Sequence, residues 1–133
     1  MNRQKALSPR QSKIGIFDSG YGGLSIFKEI RRLLPSYDYL YLGDNARSPY
    51  GPRPFETILK YTWEGVRYLL ENDCSLVIIA CNTSSARALR TIQQKYLQKE
   101  FPDRRVLGII RHSVEALAAL PSVKAPAIWA TLG

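Results

Sequence analysis

Cys81 stands in the segment Ala80-Cys81-Asn82-Thr83-Ser84-Ser85, between an apolar run and a stretch of helical period. A thiol at that junction lies near the unpaired N–H groups and the positive dipole end of the following helix. Such a place favours the thiolate, the form that attacks electrophiles and accepts protons. The four polar residues after it are cap-formers, able to bind an anion together with backbone N–H groups. The competing reading is a buried, inert cysteine, the usual fate of a free thiol. Asp18 is the second group, in Phe17-Asp18-Ser19-Gly20-Tyr21-Gly22-Gly23. It reads equally as a general acid/base or as a cap for the helix that begins near Leu24. Gly20, Gly22 and Gly23 let backbone approach a ligand, but Ser25 stands where G-x-G-x-x-G needs its last glycine. A dinucleotide fingerprint is therefore absent.

Other chemistry-bearing residues are weaker. Cys81 and Arg87 have the C-x5-R spacing of phosphatases in which a thiolate attacks phosphorus and an arginine grips the oxygens. That loop usually carries glycine for close phosphate approach, and here it reads Asn-Thr-Ser-Ser-Ala. Cys74 is expected at the opposite end of the same strand as Cys81. Seven extended residues at ~3.3 Å each separate the two thiols by about 20 Å, too far for a disulfide or a shared small substrate. His112, the only histidine, reads as an ordinary polar residue near a strand end.

The elements that would position these groups follow from hydrophobic period. Apolar runs at Ile14–Phe17, Asp38–Leu42, Ser75–Ala80, Val106–Ile110 and Ala127–Ala130 alternate with helical stretches at Leu24–Leu34, Phe55–Glu71, Ser84–Glu100 and Ser113–Leu120. Strands that are apolar throughout, linked by single helices, predict a three-layer α/β sandwich with a mostly parallel sheet and right-handed crossovers. Ligands of such sheets bind beyond the carboxyl ends of the strands. Three of the first four strands deliver Asp18, Asp44 or Cys81 to that edge.

Composition bounds the remaining classes. The 133 residues are 45% apolar and 23% charged, which suits one globular domain. The net charge of +8 is unevenly spread: +4 falls in residues 1–13 and +5 in residues 87–111. This reads as a basic flexible tail plus a solvated helix face, without the exposed aromatics of a nucleic-acid footprint. No apolar run approaches the ~18 residues of a membrane span, and residues 1–13 lack the apolar stretch of a secretory signal. The expectation is a protein without nucleic-acid or membrane partners, with free thiols. A strand at Ala127–Ala130 with no helix after it suggests the front part of a longer protein.

Taken in register, Phe17-Asp18-Ser19-Gly20-Tyr21-Gly22-Gly23-Leu24, Leu42-Gly43-Asp44, Pro49-Tyr50-Gly51 and Ala80-Cys81-Asn82-Thr83 resemble the glutamate racemase family, within the aspartate/glutamate racemase superfamily. The likeness runs from Ile14 to about Ile110; aspartate racemases look less similar at Asp18 and at Pro49–Gly51. The resemblance implies a cofactor-independent, metal-free isomerase of two similar α/β domains, cytoplasmic and a possible homodimer, that supplies D-glutamate for peptidoglycan. It implies two thiols on opposite faces of glutamate that exchange its α-proton. It implies Cys81 as one acid/base and Asp18 as its assistant. It further implies Ser19, Tyr50, Gly51, Asn82 and Thr83 as substrate-binding residues. Residues 14–111 would be the first domain and 112–133 the start of the second, whose Cys-Thr-His segment would carry the other thiol. On that reading the chain alone is an incomplete, inactive fragment. The alternatives are a related amino-acid racemase, a C-x5-R phosphatase, or a non-catalytic fragment that binds a small carboxylate.

Overall fold

Short apolar runs that cannot bury both faces alone pair side by side in the computed structural model, which describes residues 12–120. The strands are β1 (Lys13–Asp18), β2 (Asp38–Gly43), β3 (Cys74–Ile79) and β4 (Arg105–Gly108). They form one sheet in the order β2-β1-β3-β4, and every neighbouring pair is parallel. Helix α1 (Gly23–Leu33) covers one face and α2 (Phe55–Glu71) the other. After β3 come α3 (Asn82–Arg87), α4 (Leu89–Thr91), a π-helical segment (Ile92–Leu97) and α5 (Gln98–Glu100). Helix α6 (Ile110–Ala118) follows β4. This is the three-layer α/β arrangement that the apolar strands and single-helix links predict.

The two faces of β1 separate by parity. Ile14 and Ile16 pack under α1 with Ile26, Phe27 and Ile30, whereas Phe17 joins the larger core with Ile58, Val66, Leu69, Val77 and Ile79. A register shift where β1 meets β3 pairs Lys13 with Cys74 but Ile14 with Leu76. That irregularity turns Cys74 into the α2-side core, where it is fully buried. Close approach of α2 to β1 depends on Gly65, because a Cβ there would meet the Phe17 ring at 2.3 Å.

Several boundaries differ from the sequence reading. The predicted tail ends earlier, since Ser12 bonds the hydroxyl of Ser75 at 2.6 Å and Lys13 opens β1. The helix expected as one piece over Ser84–Glu100 starts at Asn82 and changes its hydrogen-bonding pattern along its length. The strand expected to run to Ile110 stops at Gly108, and α6 begins at Ile110, so the domain boundary expected at 111/112 falls inside a helix. Arg111 sits on that helix and pairs with Glu115 at 2.8 Å. His112 is also within α6. The strand expected at Ala127–Ala130 and tail residues 1–11 lie outside the described residues.

Candidate active site

Each strand tip contributes at the carboxyl edge. At the end of β1, Asp18 is 5% exposed, and its Oδ2 accepts the N–H of Gly23 at 2.8 Å and the Tyr41 hydroxyl at 3.4 Å. Asp18 thus holds the first N–H of α1, as a capping residue would, and also lines the cleft. Tyr41 reaches the Gly20 carbonyl as well, at 3.1 Å. Burial, then the charge and hydrogen bond of Asp18, push the Tyr41 phenol up to about 12, so it stays a neutral donor.

At the end of β3 the thiol itself caps the helix. Cys81 has extended backbone geometry, and its Sγ accepts the N–H of Ser84 at 3.4 Å. The thiol in turn donates to Ser19 Oγ at 3.3 Å. The residues expected to cap, Asn82, Thr83, Ser84 and Ser85, instead lie within α3. Ser84 is fixed from behind by Thr62 of α2, whose hydroxyl donates to it at 2.8 Å. Ser85 bonds the Ile79 carbonyl at 2.9 Å and accepts the N–H of Ile109 at 3.4 Å, which ties the tips of β3 and β4 together.

The tip of β2 is braced rather than open. The Asp44 N–H donates to the Asp18 carbonyl at 2.9 Å, and the Asp44 carboxylate accepts Arg47 Nε at 2.6 Å and the Tyr50 hydroxyl. Tyr50 is 1% exposed, between Phe17 and Tyr61. Burial first, and then Asp44, push its phenol far up from the usual tyrosine value.

These tips surround an open cleft of about 930 Å³. Asp18, Ser19, Gly51, Cys81, Asn82 and Thr83 all line it. Tyr50 does not: its side chain points into the core, and Ser48 and Gly51 on either side of it form the wall instead. Cys74 lies in the core, outside the cleft lining, and burial pushes its thiol up. The sequence reading missed Ser48, Tyr21, and Ile110, Ser113, Val114 and Leu117 of α6 along the rim. Tyr41 was missed as the partner of Asp18, because the register that sets it opposite Ile16 joins two strands and is not carried by alternation within either.

Arg87 also lines the cleft, yet the C-x5-R reading finds no phosphate cradle. A phosphate loop wraps its N–H groups around the anion, whereas Asn82–Arg87 is already helical. The N–H of Ser84 is taken by the thiol and that of Ser85 by the Cys81 carbonyl. Among the described residues, no group of three or more His, Cys, Asp or Glu is arranged to hold a metal ion. None of their helices is long and apolar enough to cross a membrane. What the cleft offers is a thiol and a carboxylate on neighbouring strand tips, with hydroxyl and amide groups around them. That set suits proton transfer at a small polar molecule.

Comparison with known proteins gives one consistent result. No protein-family model matches the chain. It is 46% identical to glutamate racemase of Paracoccus denitrificans over 104 residues, 78% of this chain and 37% of that protein. The structure of glutamate racemase from Aquifex pyrophilus superposes with a TM-score of 0.71 at 44% identity, covering 81% of this chain and 41% of that one. This chain is homologous to glutamate racemases. A glutamate racemase from Francisella tularensis, solved in complex with D-glutamate, matches with a TM-score of 0.72 at 36% identity, over 83% of this chain and 40% of its own. The chain therefore spans well under half the length of the glutamate racemases it matches. Over that span the four-strand parallel sheet and its flanking helices are the glutamate racemase fold.

Proposed function

We propose that this chain supplies one side of the active site of a glutamate racemase, with Cys81 as a proton-transfer group at the substrate α-carbon. The observation that carries the reading is the Cys81 thiol in the cleft, held by Ser19 at 3.3 Å and by the Ser84 N–H at 3.4 Å, with Asp18 lining the same space. In one direction the Cys81 thiolate removes the α-proton, the S–H bond forms as the C–H bond breaks, and the electron pair stays on the α-carbon next to the carboxylate. A second acid on the opposite face then protonates that carbon and inverts it. Among the described residues the other thiol, Cys74, is buried in the core. The second acid is accordingly assigned to a part of the enzyme outside this chain, and the chain alone to an inactive state. Asp18 receives the substrate ammonium or assists the thiol. Ser19, Gly51, Asn82 and Thr83 hold the carboxylates, and Tyr50 supports the turn that carries Gly51. No cofactor enters this reaction. The complete enzyme is assigned to the cytoplasm, as a homodimer that provides D-glutamate for peptidoglycan.

The test is α-proton exchange. L- and D-glutamate are incubated separately with the protein in D2O, with Cys81→Ala as control, and both deuterium content and chirality are followed. The full-length protein is expected to invert either enantiomer with deuterium incorporation, and the Cys81→Ala variant to lose inversion. Aspartate run in parallel tests the related racemase reading: faster exchange of aspartate would overturn the choice of glutamate.

A further inference from the structure

The turn after β2 is held by one side chain to a degree that its exposed position does not explain. Arg47 donates from Nε to Asp44 at 2.6 Å and from Nη1 to Glu64 of α2 at 2.6 Å, while its guanidinium carbon lies 3.9 Å from the centre of the Tyr61 ring. Its carbonyl accepts Nε and Nη2 of Arg53 at 3.1 and 2.7 Å, and Arg53 Nε also reaches the Pro49 carbonyl at 3.2 Å. Asp44 closes the loop by accepting the Tyr50 hydroxyl and by donating its N–H to the Asp18 carbonyl at 2.9 Å.

These contacts converge on Ser48–Gly51, a four-residue segment with two cleft-lining residues, Ser48 and Gly51. The Arg47 and Glu64 side chains are 33% and 45% exposed, so their pair adds little to global stability. Its consequence is local: it fixes where the turn stands relative to α2. We infer that Arg47 is a positioning residue, which clamps the Ser48–Gly51 turn to helix α2 so that this cleft wall is already formed when an amino acid enters. The inference rests on the glutamate reading above for its ligand and on the turn geometry for everything else.

Only a planar fork can reach Asp44, Glu64 and the Tyr61 face together, so lysine preserves the charge and loses the clamp. In the full-length protein, Arg47→Lys is expected to raise KM for glutamate about tenfold with kcat within about twofold, the signature of lost ground-state positioning. Glu64→Gln, which keeps an acceptor oxygen, is expected to stay near wild type, and Glu64→Ala to move toward Arg47→Lys. Amide exchange over Ser48–Gly51, measured without ligand, is expected to quicken in Arg47→Lys while the strands keep their protection. Unchanged exchange in this turn would overturn the clamp, and so would faster exchange with an unchanged KM. A parallel fall of kcat with the folded fraction would reduce Arg47 to a structural role and overturn the inference. If the full-length wild-type protein does not racemise glutamate, the racemase reading fails, while the exchange measurement still decides whether Arg47 holds the turn.

Discussion

The Cys81 thiol and the Ser19 hydroxyl, sixty-two positions apart in the chain, meet at 3.3 Å across the tips of β3 and β1. The parallel pairing of Phe17 with Ile79 brings these tips into line, and the Ala80 N–H extends the ladder to the Phe17 carbonyl at 2.7 Å. Among the described residues, Ser19 is the one side chain bonded to the thiol; the other partner is backbone. Replacing it with alanine is therefore expected to lower racemisation in the full-length protein about 100-fold, at the lower end of general acid–base contributions. The melting temperature should change little, because the bond is only partly buried. Steady-state rates beside a thermal melt check this, and an unchanged kcat would remove Ser19 from the proton-transfer site.

The two cysteines differ in access. Both are buried, but Cys81 keeps 6% exposure and lines the cleft, whereas Cys74 is fully buried and its thiol is pushed up by that burial. A small alkylating reagent is expected to label Cys81 under native conditions and Cys74 only after denaturant is added. Peptide mass spectrometry distinguishes the sites. Labelling of Cys74 first would contradict the core position given to it.

Helix α2 has no room to spare where it crosses β1. Gly65→Ala places a methyl group 2.3 Å from Phe17 Cε2 and 2.6 Å from Cδ2. Overpacking of this kind costs about 1–3 kcal/mol. Denaturant unfolding of the variant is expected to show a loss in that range, and a variant as stable as wild type would mean that the Phe17 ring moves freely.

Alkaline pH reads out the Tyr41 contact. Its phenol, ordinarily near 10.0, is raised to about 12 by burial and by Asp18. Between those values the unfolded chain releases this proton and the folded chain keeps it. The folded state then binds more protons than the unfolded one, so stability falls as pH rises. Tyr41→Phe has no proton to retain and is expected to flatten that part of the curve. Denaturation midpoints across the alkaline range, with tyrosinate absorbance recorded alongside, provide the check.

Much of this arrangement is legible in the residue order, for physical reasons that also mark where legibility stops. Asp18 and Cys81 are visible because each ends an apolar run, and a parallel sheet brings such ends to one edge. Helix α2 is visible with its true ends because its apolar period is unbroken from Phe55 to Glu71. Tyr50 misleads: a motif names a residue but not the side on which its ring is buried, and here the core takes it. The Arg47–Glu64 pair leaves no trace in local pattern, since it joins a loop to a helix seventeen positions away. Cys74 turns into the core through a register irregularity that alternation alone does not forecast.

Gly23 carries one more consequence. A Cβ at that position would lie 2.9 Å from the Asp18 Cβ and 3.0 Å from that of Ala80, so the start of α1 is seated against the tips of two strands at once. The cleft floor is thus set by the backbone of Gly23 resting on the Cβ atoms of Asp18 and Ala80, with no long side chain between to absorb a shift. Substitutions on the solvent face of α1 can accumulate without reaching the carboxylate or the thiol, but any side chain at position 23 levers both. In a comparison of many such chains, position 23 should stay fixed while the helix behind it drifts.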